Sequence, residues 1–87
     1  MTVFMVERDL KGIAMQDLAA AQKAAIATAK SMRDEGSAVR YMHSSFVPGD
    51  GRCMCFFEGA NADEVKALND RAGLPYSSVI EALDLRP

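Results

Sequence analysis

The chain has 87 residues, 49% of them hydrophobic, and a formal net charge of -2. That length suits one domain, 1–87, with a modest core. The interspersed charges offer no basic block for nucleic acid. Its two cysteines are too few for a disulfide framework. No apolar stretch reads as a membrane span, and the N-terminus turns charged at Glu7 and Arg8, too soon for a signal peptide. The expected setting is cytoplasmic, with reduced thiols and neither membrane nor nucleic acid as a partner.

Val3 to Arg8 is short and apolar and reads as a first strand, with Phe4 and Val6 on one face and Met5 and Glu7 on the other. After Gly12, residues from about Met15 to Glu35 are rich in helix formers. Leu18, Ala21, Ala25, Ala29 and Met32 recur at helical spacing as one apolar stripe, and Gly36 stands where a helix C′ glycine belongs. Val39 to Phe46 and Arg52 to Glu58 read as strands around the turn cluster Val47-Pro48-Gly49-Asp50-Gly51, so they form a hairpin. Asn61 with Glu64 three residues on gives a capping-box pattern. A second helix follows over Ala62 to Ala72, buried through Val65, Leu68 and Ala72 and stopped by Gly73 and Pro75. Ser78 to Leu85 reads as a fourth strand. The order β-α-β-β-α-β predicts an α+β, ferredoxin-like sandwich: a four-stranded antiparallel sheet in the order 4-1-3-2, with both helices on one face.

The other sheet face is left uncovered. Pairing Val47 with Gly51 gives a three-residue hairpin loop. In that register Ser45 faces Cys53, His43 faces Cys55 and Tyr41 faces Phe57, all six on the helix-free face. Met42, Phe46, Met54 and Phe56 then form the core set. This expectation gathers His43, Cys55, Glu7 and Cys53 on one accessible surface, with Glu81 a possible addition. Imidazole, thiolate and carboxylate donors suit nickel, copper or zinc better than magnesium. The simpler alternative is a packed histidine and two small buried hydrophobes. No organic cofactor is expected. Cys53 and Cys55, two apart on a strand, are expected to stay unbridged.

Met5-Val6-Glu7-Arg8, Tyr41-Met42-His43-Ser44, Cys55-Phe56-Phe57-Glu58-Gly59-Ala60 and Ala72-Gly73-Leu74-Pro75 resemble, in order and spacing, a small bacterial nickel-binding family formerly called a domain of unknown function. Glu7, His43 and Cys55 fall on its V-E-R, H-S and C-x-[YF]-[ED] motifs; Cys53 lies outside the pattern. The resemblance implies a ferredoxin-like, dimeric α+β barrel, a homodimer joined through the sheet, and nickel as the ion. Tyr41, Phe57 and Leu83 are the expected contacts. The leading function is therefore a transition-metal protein that sequesters or senses nickel. The alternative is a small-molecule enzyme of the dimeric α+β barrel type, a cofactor-free oxygenase or isomerase. It would use the same face as a substrate cavity, with His43 as acid/base. A third reading is an interaction module without chemistry.

Overall fold

The computed structural model describes residues 1–87. Its elements are β1 (Thr2–Asp9), α1 (Met15–Asp34), β2 (Arg40–Val47), β3 (Arg52–Gly59), α2 (Ala62–Arg71) and β4 (Ser78–Ala82). The strands form one antiparallel sheet in the order β2-β3-β1-β4. This is the expected 4-1-3-2 arrangement with the helices on one face. The last strand ends at Ala82, earlier than the expected Leu85.

The helix-covered core follows one parity of β1 and β3. Phe4 pairs with Phe57, Val6 with Cys55 and Arg8 with Cys53, and all six are buried. Residues directly opposite each other in a ladder share a face, so this register carries both cysteines inward. Ala25 and Ala29 of α1 and Val65 and Leu68 of α2 close the core from above. Leu18 and Met32 flank it, so the apolar stripe of α1 is the one its spacing predicts. Asn61 caps α2, its side chain accepting from the Glu64 amide at 2.9 Å. The Glu64 carboxylate reaches back to the Ala60 amide at 3.0 Å, one residue before the cap.

The β2–β3 hairpin differs from the expectation. Val47 pairs with Arg52, not Gly51, which makes Pro48 to Gly51 a four-residue turn. Gly51 is withdrawn from the ladder. Its amide donates to the Val47 carbonyl at 2.8 Å, and its carbonyl accepts from Leu10 at 2.8 Å in the β1–α1 connector. Ser45 therefore pairs with Met54, Ser44 with Cys55, His43 with Phe56 and Phe46 with Cys53. A bulge between Tyr41 and His43 then restores the Tyr41–Phe57 pair.

Candidate functional site

The one-residue change of register reverses faces, as the period-2 geometry of a strand requires. Met54 and Phe56, expected in the core, lie on the helix-free face with Met5, Glu7 and Val3 of β1. Cys53 and Cys55, expected on that face, are buried beneath the helices. The expected cluster of His43, Cys55, Glu7 and Cys53 is thus divided by the sheet. Glu7 pairs with Met54 and is held by Arg52 in a 2.6 Å ion pair. It stands two strands from His43, with β3 between them. Glu81 pairs with Phe4 and so has the parity of the other face. No group of three or more His, Cys, Asp or Glu side chains gathers anywhere in the chain.

The helix-free face has its own character. His43 is solvent-exposed and stacks on Phe56, with ring centroids 4.8 Å apart and planes inclined by 22°. The same face carries Val3, Met5, Met54 and, on the far edge strand, Ile80, of which Ile80 is 51% exposed. Tyr41 and Phe57, expected as dimer contacts, point the other way: Phe57 is fully buried, with Tyr41 edge-on to it at 5.5 Å. Leu83 lies beyond the end of β4.

On the helix side, a cavity of about 220 Å³ opens between α1 and the sheet. Its lining is mostly apolar, from Leu18, Ala25, Phe46 and Leu74, with Cys53 and Cys55 at the sheet wall. At its edge the Tyr41 hydroxyl meets Ser44 at 2.8 Å and accepts from Gln22 at 3.0 Å. His43 is not among the lining residues. An enzyme using His43 on a substrate in this cavity would need both on one side of the sheet, and they are on opposite sides.

Arg8 is the residue that sequence reasoning passed over. It is 4% exposed. Its guanidinium donates to Asn69 Oδ1 at 2.8 Å and to the Pro75 carbonyl at 3.1 Å. The signal was present in the alternation: Phe4, Val6 and Arg8 share one parity, so a strand pointing the first two inward carries the third with them. The Pro75 contact ties the Met5–Arg8 segment to Gly73-Leu74-Pro75, two of the segments that carry the family resemblance.

The thiols are free, with Sγ atoms 3.8 Å apart. Burial, chiefly, and then the charge and hydrogen bond of Cys55 push Cys53 up to about 11, with the Arg8 guanidinium pulling the other way. Two results are expected. Protein purified anaerobically and denatured without reductant releases two thiols, while the folded chain reacts slowly at pH 8 because both thiols are covered and Cys53 is held protonated. A count of zero in unfolded protein would show a bridge. A folded-state pKa raised above the unfolded one gives stability that is complete below pH 9 and is lost as pH rises toward 11. Urea midpoints should therefore fall across that window, and less in a Cys53→Ala variant.

Comparison with known proteins gives two matches. The family described as "Nickel responsive protein SCO4226-like" matches residues 4–82. The solved structure of SCO4226 from Streptomyces coelicolor A3(2) is similar at 26% identity with a TM-score of 0.80, covering 95% of this chain and 99% of that one. A search of curated proteins found no match.

Proposed function

This chain belongs to the SCO4226-like family of nickel-responsive proteins, and from that membership we propose that it binds nickel through His43 on the helix-free face of a homodimer, to sequester or sense the ion. Family membership carries the reading. The chain has one histidine, and it stands exposed on the uncovered face of the sheet. A single chain does not supply a complete nickel site, since no three donors converge and the cysteines lie behind the sheet. A second copy stacked on the same face would bring further donors to His43. It would also cover Val3, Met5, Met54, Phe56 and Ile80, an apolar set that a chain this small cannot bury by itself. No helix is long and apolar enough to cross a membrane.

Two variants test this reading. Changes to residues that only hydrogen-bond a metal ligand cost roughly 10- to 100-fold in metal affinity, so His43→Ala, the loss of a ligand, should lose at least that much nickel affinity by calorimetry. Ile80→Glu places a charge on the apolar edge strand of the face while leaving the buried core untouched. It should sediment as a monomer with unchanged helix content and lose nickel binding with the dimer. A His43→Ala protein that binds nickel as tightly as its parent would remove His43 from the site. A parent that sediments as a monomer with nickel present would remove the shared face.

A further inference from the structure

The thiol pair under α1 is not part of that nickel reading, because it lies on the opposite face of the sheet. Three observations concern it. Cys53 Sγ and Cys55 Sγ are 3.8 Å apart on neighbouring same-face positions of β3. They form part of the wall of a cavity of about 220 Å³ whose lining contains neither carboxylate nor imidazole. Met15 at the start of α1, which carries a third sulfur, is a lining residue of the same cavity and is 69% exposed. Beside them lies the buried Arg8 guanidinium, whose hydrogen bonds go to the neutral acceptors of Asn69 and Pro75 and which has no carboxylate partner in an ion pair.

We propose that Cys53 and Cys55 chelate a soft monovalent cation of the copper(I) class in this cavity, with the Met15 thioether as the third ligand. At a metal–thiolate bond of about 2.3 Å, a separation like that of the two sulfurs corresponds to an angle of roughly 110° at the metal. A bent angle of that size suits three or four ligands and leaves the metal open toward the cavity, where a flexible methionine can swing in. The donor set is all sulfur, which selects a soft ion over magnesium or calcium. A divalent ion would want a fourth donor, and no carboxylate or imidazole is at hand. Charge balances as well. Two thiolates and one monovalent cation carry a net charge of -1, and the Arg8 guanidinium beside them supplies the compensating positive charge that a buried anion requires. On binding, two S–H bonds break, three metal–sulfur bonds form (two to thiolates and one to the thioether) and two protons leave to solvent. No electron is transferred, because the ion arrives already monovalent.

The test uses the full reduced chain under anaerobic conditions, titrated with silver(I) as a redox-inert stand-in and then with copper(I) against a copper(I)-specific chelator. One ion per chain is expected, with protection of both thiols from alkylation by one equivalent. Losing one arm of a chelate should cost about 100-fold or more in affinity, so Cys53→Ala and Cys55→Ala should each show that loss. Met15→Leu should fall roughly tenfold, as the soft third ligand is replaced by hydrocarbon. His43→Ala should keep silver(I) binding while losing nickel, which separates this proposal from the nickel reading. The unchanged protein provides a readout independent of variant folding: amide NMR shifts on adding silver(I) should centre on Ala25, Cys53 and Cys55. Two ions per chain on independent thiols, single-cysteine variants as tight as the parent, or shifts centred on His43 would each overturn the chelate. Unchanged affinity in Met15→Leu would overturn the third ligand.

Discussion

Gly51→Ala is expected to destabilise the fold by about 3 to 5 kcal/mol, while Gly12→Ala costs only about 1 to 2 kcal/mol. The two glycines have nearly the same backbone, φ +81° at Gly51 and +82° at Gly12. An added methyl is therefore strained equally at both, and only their surroundings differ. A Cβ at Gly12 meets nothing within 4 Å, whereas at Gly51 it would lie 2.5 Å from the Lys11 backbone nitrogen and collide with the neighbouring Cα. Relief requires the β1–α1 connector to move away, which breaks the 2.8 Å hydrogen bond from the Leu10 amide to the Gly51 carbonyl. For a domain of this size each kcal/mol lowers Tm by roughly 4 to 8 °C, so melts of the two variants should be well separated. Equal melting points would mean that the close approach at Lys11 contributes nothing. The position matters for function because this turn fixes the register that faces His43 outward and the cysteines inward.

That register is where sequence reasoning and structure part. The element order, the stripe of α1 and the Asn61 cap were legible because each has a local signal: helical spacing, or a side-chain acceptor three residues before its partner. The hairpin had no such signal. Three- and four-residue loops are both allowed, and the sequence Pro48-Gly49-Asp50-Gly51 accommodates either. The choice between them rested on sending the apolar set inward, but β3 is apolar on both sides. Cys53, Cys55 and Phe57 alternate with Met54 and Phe56, so hydrophobicity alone could not orient the strand. β1 did not settle it either. With Phe4 and Val6 pointing to the core, an antiparallel neighbour can still present either Cys55 or Phe56 opposite Val6, one residue of slip exchanging the two. Small side chains on the core face suit a helix that packs through Ala25 and Ala29. The candidate site was legible in residue types and not in placement. His43 and Glu7 are on the expected face, but the two cysteines are not, and a site that needs a second copy of the chain cannot be assembled from one chain's periodicity.

The buried Arg8–Asn69 pair gives the second large effect, and its sign pattern distinguishes a charge problem from a packing problem. Asn69 is fully buried. Its amide donates to the Val65 carbonyl at 2.9 Å while its oxygen accepts from Arg8. Asn69→Leu keeps roughly the same shape but leaves the guanidinium with one acceptor, the Pro75 carbonyl. Stranding a buried charge in this way costs about 3 to 5 kcal/mol. Arg8→Met instead removes the charge and leaves two neutral acceptors short of a donor, a loss of about 2 to 3 kcal/mol. The double variant removes both the stranded charge and one orphaned acceptor, so it should be more stable than Asn69→Leu alone. If the two residues contributed only by filling space, the double variant would instead be the least stable of the three, near the sum of the single losses. Urea unfolding of the four proteins measures the coupling directly. The charge account requires a favourable interaction of about 1 to 3 kcal/mol between the two sites, and simple additivity would refute it. The Arg8 charge is the same one that would balance a thiolate-bound cation under α1, so the cycle also shows whether that positive charge is a cost the empty fold bears.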